Sequence, residues 1–248
     1  MIKTRYSITI GGETAEIGTA AELVVALNVL QGNHDHEVLE QLKNHISDIV
    51  INPEDLYALF SVLIPNDQIY LIESLGSNLV KVFQKASWMR DILATLAEIS
   101  VEIKLFEILG SEGLRLLIHS AEELSGILEW VYEECDKLVL DLLGKDFLMK
   151  LFQSGYELSL VLYSLDHVRQ SEFIKMFGWD DIITLIRNRN DLAHLFRALP
   201  TELSKKMLTH FTKEQLWIII RDEHGWRYLR NYLETDEIIH LEKLLGVK

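Results

Sequence analysis

The chain has 248 residues, 48% of them hydrophobic and 25% charged, with a mean hydropathy of +0.11 and a single cysteine, Cys135. That balance belongs to an ordered, core-forming chain rather than a disordered one. One cysteine excludes an internal disulfide and a cysteine-based zinc site, and no apolar run reaches the ~18 residues a membrane helix needs. The formal net charge is −14, split as 11 Lys/Arg against 24 Asp/Glu in residues 1–150 (net −13) and 13 against 14 in residues 151–248 (net −1). Most of the chain therefore repels phosphate backbones and anionic lipid surfaces.

The first residues, Met1-Ile2-Lys3-Thr4-Arg5-Tyr6, are basic, but no continuous apolar stretch follows. A secretory leader is not expected, and a reducing, cytoplasmic setting fits the cysteine content. Ser7–Ile17 alternates polar and apolar residues around Gly11-Gly12, the pattern of a small β-hairpin. Residues 1–18 are taken as a hairpin cap and residues 19–248 as one helical-repeat domain.

From Thr19 onward the chain repeats itself. Gly76, Gly110, Gly144 and Gly178 are 34 residues apart, Gly246 lies two periods on, and Thr212 fills the place between. Each glycine follows a large apolar residue (Leu75, Leu109, Leu143, Phe177, Leu245), as at a helix end where glycine takes positive φ cheaply. A second column, Asn52, Ser120, Ser154, Asn188 and Asp222 with Ala86 as the exception, carries side chains that cap helix N-termini. Thr19 and Glu22 form the same signal as a capping-box pattern in a shorter first copy. Four, seven, eight and eleven places after the cap the residues are apolar, for example Leu56, Leu59, Phe60, Leu63 and Leu158, Val161, Leu162, Leu165. The first copy reads Leu23, Ala26, Leu27, Leu30, and two further apolar stripes flank each glycine. This is the spacing of one helix face, three times per unit.

The predicted fold is all-α: a right-handed or superhelical α-solenoid of about six 34-residue three-helix repeats behind a small N-terminal β-hairpin cap. Units start near residues 19, 52, 86, 120, 154, 188 and 222. Such short helices are marginal alone and must bury their stripes against neighbouring units. Arg90, Ala94 and Ala97 fall in apolar columns of the unit at 86 and predict a weakened copy there. Arg230 and Glu242 do the same in the last unit, as in a terminal cap facing water.

The length matches tetratricopeptide repeats, but the residues do not follow that family's pattern of Trp, Gly, Tyr, Ala and Pro. The unit Leu-Gly-x3-Leu-x2-Leu-Ile-x-Ser-x3-Leu-x2-Leu-Leu, clearest at Leu109–Leu128 and Phe177–Phe196, resembles the short three-helix repeats of large proteins and secreted effectors of Legionella-type intracellular bacteria. The likeness covers residues 19–246. It implies a bacterial protein acting in a host cytosol, and it implies no site residues.

Exposed columns that vary between units are where binding can be encoded. Two places after the cap these are Glu54, Trp88, Glu122, Tyr156, Asn190 and His224, and ten places after it Val62, Leu96, Trp130, Ser164, Ala198 and Tyr232. Trp88, Trp130 and Tyr156 are thus candidate partner anchors, unless their rings pack on the adjacent unit. Arg187, Arg189, Arg197, Arg221, Arg227 and Arg230 concentrate in two consecutive units, with Arg187 and Arg221 in one column. They suit a carboxylate-rich peptide or a phosphate, the plainer alternative being surface charge paired with Asp191, Asp222 and Glu223. The acidic run Glu122, Glu123, Glu129, Glu133, Glu134, Asp136 reads as a solvated helix face, and His34-Asp35-His36 as polar cap residues rather than a metal site. Cys135 is placed near a helix end among acids that raise its pKa. There is no G-x-S-x-G, H-E-x-x-H, P-loop or G-x-G-x-x-G. No catalytic, cofactor or metal residue is assigned. The sequence predicts a non-enzymatic protein-interaction scaffold or adaptor, with a nucleic-acid-binding solenoid as the alternative that the charge disfavours.

Overall fold

A computed structural model describes residues 4–30, 34–96 and 98–246. Ala97 and the side chain of Leu30 lie outside the described residues. The fold is all-α apart from one N-terminal hairpin, and among the described residues no helix is long and apolar enough to cross a membrane. The chain divides into two compact bodies, residues 1–119 with 130–143 and residues 120–129 with 144–248.

In the first body, β1 (Tyr6–Ile10) and β2 (Glu13–Ile17) pair antiparallel across Gly11 and Gly12, whose φ values of 60° and 89° give the twist a two-residue turn requires. Helices α1 (Ala20–Leu30), α2 (Asp35–Leu42), α3 (Ile46–Ile49), α4 (Pro53–Phe60), α5 (Pro65–Leu75), α6 (Leu79–Phe83), α7 (Ala86–Leu93) and α8 (Ile99–Leu117) follow. The second body contributes α9 (Ala121–Leu128), and the first is completed by α10 (Glu133–Leu143). The second body continues with α11 (Lys145–Leu151), α12 (Gly155–Tyr163), α13 (His167–Phe177), α14 (Trp179–Thr184) and α15 (Arg189–Ala198). It ends with α16 (Thr201–Leu208), α17 (Lys213–Ile220), α18 (Glu223–Arg230) and α19 (Thr235–Leu245).

Within each body, corresponding helices pack in sequence order. In the first, α1 meets α4, α4 meets α7, and α2, α5, α8 and α10 form a second row. In the second, α9, α12, α15 and α18 make one row. The apolar stripe supplies the contacts: Leu23, Leu56, Leu124, Leu158 and Leu192, each four places after a cap, are all 0% exposed. Asn52, Ser120, Ser154, Asn188 and Asp222 cap α4, α9, α12, α15 and α18 with side-chain oxygens on first-turn N–H groups. Thr19 Oγ1 accepts from Glu22, whose carboxylate reaches back one residue further than a capping box, to the Gly18 N–H.

The unit expected at 86 starts one residue earlier. Lys85 holds the extended N-cap conformation (φ −159°, ψ 159°), so the stripe is Met89, Ile92, Leu93 and Leu96, all buried. Arg90 and Ala94 fall outside it, and that copy is not weakened. Five residues separate α7 from α8, where four separate α4 from α5, and this restores the later register. Where a third helix runs to within one residue of the next cap, that residue is forced to positive φ. This happens at Gln84 (62°) before Lys85 and at Arg221 (70°) before Asp222.

The glycine column turns one helical segment directly into the next at Gly110 (within α8), Gly144 and Gly178, whereas Gly246, which ends α19, takes the left-handed helical conformation (φ 69°, ψ 31°). Gly110 (57°, −172°), Gly144 (72°, 155°) and Gly178 (80°, 152°) combine positive φ with extended ψ, a region open almost only to glycine. Thr212 has φ −78°, so no such turn forms there: α16 stops at Leu208, against eleven residues for α13, and Thr212 begins α17 with a reciprocal capping box to Gln215.

A polar column runs through the core eight places before the glycines. Asp35, Gln68, Glu102, Asp136, Gln170 and Ser204 are all buried. Gln68 Nε2 donates to the Phe60 and Leu63 carbonyls, left unpaired where α4 ends. Gln170 repeats this on Leu162 and Leu165 and adds the Ala198 carbonyl of the following unit. Glu102 accepts from the Tyr132 N–H. Asp136, expected on a solvated face, belongs to this column at 3% exposure, while Glu122, Glu129, Glu133 and Glu134 are exposed.

Candidate functional site

The second body carries a surface of stacked arginines and tyrosines on α15, α18 and the turn that follows α18. Asn188 starts α15 by accepting from Asn190 and Asp191. Asp191, expected as a surface partner for arginine, is buried at 4% exposure. Its carboxylate accepts from the Arg187 N–H (3.1 Å) and the Asn188 side-chain amide (2.8 Å), which fixes where α15 begins. From there Arg189 and Arg197 project two turns apart.

Each lies over a tyrosine from the neighbouring unit. The Arg189 guanidinium is 5.6 Å from the Tyr228 ring and the Arg197 guanidinium 5.6 Å from the Tyr232 ring, within cation–π range. The two tyrosine rings are 4.9 Å apart, and their hydroxyl contact raises the pKa of Tyr228. Stacking fixes the flat guanidinium faces and leaves N–H edges for an acceptor. Among the described residues neither arginine has a carboxylate within 4.0 Å. Asp222 is nearby but committed: its carboxyl sits below the usual range because the Gly225 N–H donates to it, with Arg189 adding a smaller effect.

Two clefts flank the pair. One of about 350 Å³ is lined by Asn188, Arg189, Asn190, Ile219, Arg221 and Asp222. Arg221 therefore shares a cleft with Arg189, while Arg187 is exposed and is not part of that lining. The other, beside Arg197, includes Tyr163 and Val168, which are 50% and 66% exposed. Arg227 is ion-paired with Glu223 at 2.6 Å, and Arg230 lies over Trp226 and 4.0 Å from Glu242, so the two charges of the last unit neutralise each other.

The aromatic candidates are distributed differently. Trp88 is half-buried with the Lys85 ammonium 6.0 Å from its ring, and the shifted unit moves it out of the column of Tyr156. Leu96, placed with Trp130 by the sequence, is a buried stripe residue. Trp130 is 51% exposed in the first body. Tyr156, 43% exposed, stands edge-on to His194 at 4.8 Å in the second. The residues missed by sequence reading are Tyr163 and Tyr228, which lie at cap offsets nine and six, outside the two variable columns.

Cys135 is in the first turn of α10, wholly buried, and its thiol is pushed up to about 12. Burial is the main cause, followed by the charge of Glu102 rather than of its chain neighbours. Such a thiol stays protonated and does not act as a nucleophile. His34 meets Glu37, and His36 lies 3.2 Å from Asp67 and edge-on to Tyr70. The His36 contacts tie α2 to α5. Comparison with protein-family models, with curated proteins and with solved structures finds no match to this chain.

Proposed function

We propose that this chain is a non-enzymatic protein-interaction scaffold, a helical-repeat solenoid whose arginine–tyrosine face on α15 and α18 holds a carboxylate-rich segment of a partner protein. The observation that carries this reading is the pair Arg189/Tyr228 and Arg197/Tyr232: two guanidiniums supported from below by rings, with no carboxylate within 4.0 Å among the described residues. Tyr and Arg are the residues most often found at the energetic centre of protein interfaces. The repeating caps and the in-order packing of corresponding helices within each body support the solenoid. The effector resemblance extends the proposal to a role in a host cytosol.

The test is titration with an Asp/Glu-rich peptide, measured by calorimetry on the intact chain. Replacing Arg189 and Arg197 together with Ala is expected to weaken binding at least about tenfold, and replacement with Lys to restore only part of it, since an ammonium cannot make the bidentate contact. Unchanged affinity of the double Ala variant would overturn the proposal. Retention of RNA in preference to the acidic peptide, lost in the same variant, would assign the face to nucleic acid instead, against the −14 net charge.

A further inference from the structure

The hairpin in the first body has two edges, and only one is closed. The Gln41 side chain does for β1 what a third strand would do: its Oε1 accepts from the Thr9 N–H (2.9 Å) and its Nε2 donates to the Thr9 carbonyl (3.1 Å). Thr9 therefore points its main-chain groups away from β2. Its cross-strand partner is Thr14. In an antiparallel ladder such a pair faces outward on both strands. The N–H and carbonyl of Thr14, and by the two-residue period those of Glu16, thus point out along the far edge of β2. Among the described residues no hydrogen bond reaches them there.

That edge borders an apolar groove of about 520 Å³ between the hairpin and α1. Its floor includes Ile10, Ala15 and Ile17, and its wall is Ala21, Val25 and Val29 of α1. Val25 and Val29 are 62% and 72% exposed, an unusual cost for two β-branched residues one turn apart. Among the described residues that line it, the charged ones are Glu13, Glu16 and Glu22, and none is basic. Glu22 is occupied by Arg5 and the Gly18 N–H, and among the described residues no basic group lies within 4.0 Å of Glu13 or Glu16 at the rim.

We propose that this groove is a strand-addition site for an extended segment of another protein in which apolar residues alternate with Lys or Arg. Such a segment pairs its main chain with Thr14 and Glu16. It lays every second side chain on Val25 and Val29 and turns the basic ones to the opposite face of the strand, where Glu16 points. Charge complementarity selects this occupant. A second copy of the chain added to the same edge places Glu13 and Glu16 of both copies on adjacent strands, and like charges across a strand pair are destabilising. The site shares no residue with the arginine–tyrosine face.

The test uses a fluorescent six-residue peptide of alternating Lys and Val, with the Glu/Val peptide as control, read by anisotropy on the intact chain. Three variants accompany it. Val25→Asp places a charge in the groove. Thr14→Pro removes an outward N–H that the hairpin ladder does not use, and Arg189→Ala with Arg197→Ala alters the other face only. The Lys/Val peptide is expected to bind one site, and the Glu/Val peptide at least about tenfold more weakly. Val25→Asp and Thr14→Pro are each expected to reduce affinity several-fold with unchanged melting, and the arginine variant to leave it intact. Equal binding of both peptides, or full affinity in Val25→Asp, would overturn the proposal. So would a wild-type dimer in sedimentation that Val25→Asp dissociates, because the edge would then belong to a second copy.

Discussion

Replacing Gly110 by Ala isolates one energetic term, because a Cβ built there meets nothing within 4 Å. No packing change accompanies the substitution, and the whole effect comes from the backbone at φ 57°, ψ −172°, inside the stretch from Ile99 to Leu117. A left-handed helical residue costs an alanine roughly 1 kcal/mol, but this conformation lies in the region reserved almost entirely for glycine, where the cost is about 1–3 kcal/mol. For a chain of this size each kcal/mol corresponds to a melting shift of roughly 2–4 °C. Asn sharpens the test, since it tolerates the left-handed helical region and not the extended one. Gly110→Asn is expected to be as harmful as Gly110→Ala. Gly246→Asn, at φ 69° and ψ 31°, is expected to stay within about 0.5 kcal/mol of the parent. The assay is urea unfolding followed by circular dichroism. A parent-like midpoint for Gly110→Ala, or equal losses for Asn at both positions, would refute the assignment of these glycines to two different turns.

Other consequences are open to measurement. Gly155→Ala puts a Cβ 2.8 Å from the Asp191 Cβ and 3.1 Å from its carbonyl oxygen, so α12 and α15 must separate; a loss of about 1–3 kcal/mol is expected in urea unfolding, although Ala is the better helix former. Burial raises the carboxyl pKa of Glu102 above its ordinary 4.5, so its ionisation penalises the folded state. That penalty is absent below pH 4.5 and grows as the pH rises through the folded value. Glu102→Gln, which keeps an acceptor for Tyr132, should therefore gain stability relative to the parent as pH increases, and a pH-independent difference would contradict this. Cys135, at about 12 against an ordinary 9.0, should resist alkylation at pH 8–9 until urea unfolds the chain. Its contribution to stability should fall as the pH rises above 9.

The fold was legible wherever the repeat left the same residue type in the same column. Caps and glycines marked helix ends because few residues satisfy first-turn N–H groups or accept positive φ. The slip at Lys85 was hidden by its own compensation: a one-residue deletion after Gly76 and an insertion after Leu93 leave Gly76 and Gly110 34 apart. Lys85 also has no capping side chain to betray it. The buried column from Asp35 to Ser204 has the period but not the chemistry of a core, so hydrophobic spacing does not mark it. Its role depends on carbonyls released where the preceding helix ends. At the candidate site the excess of arginine was visible, but the pairing was not. A column places Arg187 with Arg221, whereas the folded chain seats Arg189 and Arg197 on Tyr228 and Tyr232, an inter-unit contact that one-unit spacing cannot specify.

Arginine Nε–Hε spectra of the labelled chain, recorded while the Asp/Glu-rich peptide is added, test the interaction surface most directly. Saturable shifts of Arg189 and Arg197 are expected, with little change at Arg5 and Arg90, which are already paired with Glu22 and Asp91. Uniform movement of all arginines, or shifts that leave Arg189 and Arg197 still, would contradict it.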